Sequence, residues 1–65
     1  MNSVLYEVDV DNFTLVTMSG EAYRVNVYDF ITCCCWLPTS PLKFFESNGQ
    51  LYCTNLDLDS TVRLA

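Results

Sequence analysis

The stretch "SVLYEVDV" at residues 3–10 alternates its side chains with a period of two, and similar short runs recur at roughly eight- to twelve-residue spacings between turn-forming residues. A strand places neighbouring side chains on opposite faces, so alternation of this kind fits a sheet with one buried and one wet face. No run carries the 3.6-residue period of a helix long enough to matter. The chain therefore reads as all-β.

In the first run Val4, Tyr6, Val8 and Val10 are expected to form the apolar face and Leu5, Glu7 and Asp9 the more polar one. Asp11 and Asn12 favour a turn, after which "FTLVTM" interleaves Phe13, Leu15 and Thr17 with Thr14, Val16 and Met18. Ser19 and Gly20 mark another turn. A third run then sets Tyr23, Val25 and Val27 against Ala22, Arg24 and Asn26. Tyr28 and Asp29 interrupt the pattern, and Asp29 is placed to close a turn on the backbone two residues on. "FITCCCW" reads as the next strand. Pro38 and Pro41 cannot donate to a ladder, so "LPTSPL" is a loop or a sheet edge. "LKFFE" and "LYCTN" flank Asn48 and Gly49, the strongest hairpin dipeptide in the chain. "LDLDS" reads as a turn or one helical turn and "TVRLA" as a closing strand.

With 65 residues there is room for one domain, spanning 1–65, and no second core. The expected architecture is a small barrel or curled antiparallel sheet of five to six strands, SH3-like or alternatively OB-like, since curling the sheet limits its open edges. Half of the residues are hydrophobic, 51%, and only two are Gly and two Pro, which favours a folded domain over a disordered tail.

Charge narrows the function. Eight acids oppose three bases, Arg24, Lys43 and Arg63, for a net −5. Such a surface disfavours nucleic acid and anionic membranes, because affinity for phosphates comes mainly from Lys and Arg. There is no histidine, so Ser-His-Asp and Cys-His mechanisms are excluded. No secretory leader is expected from "MNSVLYEVDV", which has acids at Glu7 and Asp9. The longest uncharged run, "FITCCCWLPTSPL", holds thirteen residues and two prolines, too short to span a bilayer. The chain is accordingly expected in the cytoplasm, where thiols stay reduced.

The four cysteines are the conspicuous chemistry. On a strand Cys33 and Cys35 would share a face with Ile31 and Leu37, and Cys34 would join Thr32 and Trp36, so three thiolates could not converge on one ion. The C-x-x-C spacing of zinc knuckles is absent, and no metal or other cofactor is expected. A disulfide from Cys53 to one of the three requires neighbouring strands and an oxidising compartment. Acylation favours an exposed cysteine, and these lie mid-domain. Burial as small hydrophobes is the reading these cysteines favour, with Cys34 or Cys35 the candidate for a solvent-facing thiol.

Trp36 beside "LPTSP" could form an aromatic groove for a peptide, so Trp36, Pro38, Pro41 and Tyr28 are the candidate partner-binding residues. Core packing is the competing role for Trp36, the only tryptophan in so small a domain. Glu7, Asp9 and Asp11 on the first run and Asp57 and Asp59 in "LDLD" are expected as solvated acids, and "DLDSTV" lacks the Gly and distal Glu of a calcium loop.

From residue 15 to 64 the order of turn and core residues resembles a group of small bacterial proteins of unknown function, some of them cyanobacterial. The positions carrying the resemblance are Gly20, Tyr23, Val25, Tyr28, Asp29, Trp36, Pro38, Asn55 and Val62. It implies a small β-barrel and no known activity. The cysteines depart from that pattern, where small or aliphatic residues are usual.

No catalytic residues are expected. The sequence points to a non-enzymatic module that binds a protein partner, or a second copy through a β edge, with no role for nucleic acid or membrane. Two alternatives remain: an acidic phage- or plasmid-type inhibitor that mimics nucleic acid through Glu7, Asp9, Asp11, Asp57 and Asp59, and a thiol- or metal-binding protein built on Cys33, Cys34, Cys35 and Cys53.

Overall fold

The computed structural model describes residues 2–65 and consists of one six-stranded antiparallel sheet with a single short helix. The strands are β1 (Asn2–Asp9), β2 (Thr14–Thr17), β3 (Ala22–Arg24), β4 (Pro41–Ser47), β5 (Gln50–Asn55) and β6 (Ser60–Arg63). Helix α1 (Phe30–Cys33) lies between β3 and β4. Spatial order is β3-β2-β1-β4-β5-β6, so the connection through α1 carries the chain from one edge of the sheet back to its middle.

The sheet curls without closing. Tyr23 on β3 and Phe44 on β4 are three places apart in the strand order, yet their rings meet at 4.4 Å between centroids. At one corner the two edges touch through a single bridge, Val25 with Leu64, in which the Asn26 N–H donates to the Arg63 carbonyl at 2.9 Å and the Ala65 N–H to the Arg24 carbonyl at 2.8 Å. Beyond that bridge β3 and β6 are unpaired edges of three and four residues, short enough to offer little template for another chain.

Inside the curl sit Leu5, Leu15, Val25, Phe30, Cys33, Trp36, Leu42, Phe44, Cys53, Val62 and Leu64, with Val8 and Tyr23 packed against them. This corrects the expected face of β1. Leu5 is fully buried, whereas Val4, Tyr6 and Val10 are exposed. The cause is a bulge: from Leu5 to Glu7 β1 advances two residues while β2 moves only from Thr17 to Val16. The extra residue reverses the alternation, so Leu5 points inward before the bulge and Val8 packs inward after it.

The turns form where the sequence places them. Asn48 and Gly49 both adopt positive φ, 53° and 78°, the conformation a two-residue hairpin needs to match strand twist. Between β1 and β2, Asp9 accepts hydrogen bonds from the backbone N–H groups of Asp11 and Asn12 and from the Asn12 amide. The Asn12 side chain is the main reason that the Asp9 carboxyl lies below its usual range.

Of the two readings of "LPTSPL", a loop or a sheet edge, the structure has the loop, over residues 36–40, leading into β4 at Pro41. Thr39 N–H donates to the Leu5 carbonyl and Leu5 N–H to the Ser40 carbonyl on one side, while Leu56 N–H donates to the Pro41 carbonyl on the other. The end of the loop is thus held against β1 and against the residue after β5, so it leaves no unpaired edge there. Pro41 is tolerated there as the first residue of its strand.

Candidate functional site

"FITCCCW" is not a strand. Phe30–Cys33 form one helical turn, continued by the Cys34 N–H donating to the Phe30 carbonyl at 2.8 Å and the Trp36 N–H to the Cys33 carbonyl at 3.0 Å. Local chemistry starts it: the Asn26 side-chain oxygen accepts the Tyr28 N–H at 2.9 Å, and the Asp29 N–H donates to the Asn26 carbonyl. Helical spacing puts Phe30, Cys33 and Trp36, each three apart, on the inner side, and leaves Ile31, Thr32, Cys34 and Cys35 outside. The Phe30 and Phe13 rings meet edge to face with centroids 5.1 Å apart, and α1 packs on β6.

Asp29 does not cap this turn with its side chain, as the sequence suggested. Its carboxylate reaches across to β6, where Oδ2 accepts the Arg63 backbone N–H at 2.8 Å and Nε at 2.9 Å, and Oδ1 accepts the second guanidinium nitrogen at 3.0 Å. The Arg63 side chain, first, and its backbone N–H, second, hold the Asp29 carboxyl below its usual range. This two-pronged clamp ties the helical turn to the edge strand.

The cysteines therefore divide by position. Cys33 and Cys53 are buried, and burial pushes each thiol up to about 12. Cys34 and Cys35 are exposed at the end of the turn, the Cys34 thiol donating weakly to the Ile31 carbonyl. All four are free thiols. Among the described residues no three Cys, Asp or Glu side chains gather where they could hold a metal ion, and no pocket opens into the domain.

Of the candidate partner-binding residues, the structure separates one from the others. Trp36 is 4% exposed and belongs to the core, while Tyr28 is 82% exposed, Pro38 is exposed in the loop and Pro41 is half-buried at the start of β4. Sequence reasoning missed Ile31 and Leu37, which are 81% and 72% exposed, and Val27, also exposed. With Tyr28, Cys34, Cys35 and Pro38 they make residues 27–38 a segment, here called the collar, whose outward side chains are mostly apolar and which also carries the buried indole. Its one charged side chain is Asp29, engaged by Arg63. Phe30, Cys33 and Trp36 stand three apart, but a single helical turn is too short for that spacing to stand out in the sequence.

Elsewhere the acids serve turns or face water. Asn55 is fully buried, and its side-chain oxygen accepts the N–H groups of Asp57 and Leu58, holding the turn that carries Asp57 and Asp59; its amide nitrogen has no partner among the described residues. On the outer sheet face Phe45 and Tyr52, directly opposite on β4 and β5, stack at 5.1 Å. No helix among the described residues is long and apolar enough to cross a membrane. No protein family, curated protein or solved structure matches the chain.

Proposed function

We propose that the chain is a non-enzymatic binding module of SH3-like type that docks on a protein partner through the collar of residues 27–38. The observation that carries this reading is the exposure of Tyr28, Ile31 and Leu37, the three most exposed large hydrophobic side chains among the described residues, together with Val27 on one short segment whose single charged side chain, Asp29, is engaged by Arg63. Apolar residues gathered in this way mark contact surfaces more often than scattered ones do. Trp36 acts from beneath, as the anchor that fixes the loop and not as the contact itself. Tyr28, Leu37 and Pro38 are the contact residues, with Pro41 fixing where the loop joins the sheet.

The test is partner retention by immobilised protein from lysate of the source cells, comparing the wild type with a Tyr28→Asp/Leu37→Asp variant of matching circular dichroism. The wild type should retain a stoichiometric partner in both low and high salt, and the variant should lose it. Equal retention by both proteins, or retention that salt abolishes, would refute docking through this collar.

A further inference from the structure

We propose that Cys34 and Cys35 are a site of S-acylation by long-chain acyl thioesters, with the surrounding collar as the seat for the alkyl chain. The two thiols are adjacent and exposed, whereas Cys33 and Cys53 are buried and held as thiols. Their neighbours are unusual for a surface: Ile31 one helical turn before Cys35, Leu37 two residues after it, and Tyr28 and Val27 at the start of the turn all face solvent. A thiolate needs access, and an acyl chain needs apolar surface beside it; this segment provides both, and its one charged side chain, Asp29, is turned to Arg63. The preference for a long chain comes from burial of its methylenes against these side chains.

The step balances without an oxidant or reductant. The cysteine thiolate attacks the carbonyl carbon of an acyl-coenzyme A; the new S–C bond forms as the coenzyme A S–C bond breaks. Coenzyme A leaves as a thiolate and takes up the proton that the cysteine released to solvent. Adjacency matters because one acyl chain gives only marginal attachment to a bilayer and two give stable anchoring. The inference does not depend on the protein partner proposed above, because acyl transfer is read directly.

The experiment is intact-mass kinetics of the whole protein with decanoyl-coenzyme A and, separately, acetyl-coenzyme A at pH 8, where the reacting carbonyl is the same and only the chain differs. The wild type should gain up to two decanoyl groups, removable by hydroxylamine, about tenfold faster than acetyl groups, the effect of roughly two methylenes held against the collar. Cys34→Ser/Cys35→Ser should gain none. Ile31→Asp/Leu37→Asp, altered only at exposed positions, should lose the chain-length preference while still reacting fully with iodoacetamide, which separates a lost seat from lost access. The doubly acylated wild type should then sediment with phosphatidylcholine vesicles, uncharged overall so that the net −5 of the protein is not repelled. Equal decanoyl and acetyl rates, acylation at Cys33 or Cys53, no acylation, or acylated protein left in the supernatant would each overturn the proposal.

Discussion

Replacing Trp36 with Ala tests whether the indole is a structural anchor. The side chain is 4% exposed and packed within the core formed by Leu5, Leu42, Phe44 and their neighbours. An aromatic side chain of this kind buries about 150–250 Å². At about 25 cal/mol per Å² that corresponds to roughly 4–6 kcal/mol, an upper estimate because the unfolded chain is itself partly compact. Measured Trp→Ala losses run at about 3–5 kcal/mol. A domain of 65 residues has a total stability of about 3–10 kcal/mol at the usual per-residue value. Trp36→Ala should therefore remove a third or more of the stability and could leave the chain unfolded at 25 °C. Tyr28→Ala, at a site 82% exposed, should stay within about 0.5 kcal/mol of the wild type. Urea unfolding followed by far-ultraviolet circular dichroism measures both without relying on the lost fluorophore. A Trp36→Ala protein less than about 1 kcal/mol below the wild type would refute the buried position of the indole and return it to the contact surface.

Asp29 has a folded-state pKa below its unfolded value, so its contribution is complete above the unfolded pKa of about 3.9 and is lost as pH falls through the lower folded value. Asp29→Asn should accordingly flatten the acid limb of a stability-versus-pH curve below about pH 4, and a curve parallel to that of the wild type would contradict the clamp. Gly49 has φ +78° with no atom within 4 Å of an added Cβ, so Gly49→Ala meets backbone strain alone and should cost about 1–2 kcal/mol in the same urea assay. A neutral result there would mean that the turn relaxes to another type.

Much of the fold was legible because short-range signals and tertiary structure agree. The Asn48-Gly49 turn and the shared face of Leu15 and Thr17 on β2 follow from residues adjacent in sequence, and of the two readings of the segment after Asn55 the structure has the turn. Two features depended on what a single sequence hides. The bulge at Tyr6 reverses the faces of β1, and no residue there announces it, because Leu5 and Val4 are equally apolar. The run "FITCCC" is rich in β-branched and small residues that favour a strand, yet the chain must return from the edge strand β3 to the central strand β4. One helical turn makes that crossing while placing Phe30, Cys33 and Trp36 inside, and four residues are too few to show a helical period. The collar was missed for the same reason: assigning the wrong period assigns Ile31 and Leu37 to the wrong side. The Asp29–Arg63 clamp joins residues 34 apart in sequence and has no local signature.

Pulsed alkylation with iodoacetamide at pH 8, read residue by residue by fragment mass spectrometry, distinguishes the buried pair Cys33 and Cys53 from the exposed pair Cys34 and Cys35. Burial raises the Cys33 and Cys53 thiols from an ordinary 9.0 to about 12, three powers of ten, so their thiolate fraction is roughly a thousandfold smaller even before access is considered. The helical turn predicts rapid labelling of Cys34 and Cys35, with Cys33 and Cys53 labelled only on unfolding. Labelling of Cys33 and Cys35 alike, with Cys34 set apart, would restore the period of a strand and contradict the turn, the collar and the buried Trp36 together.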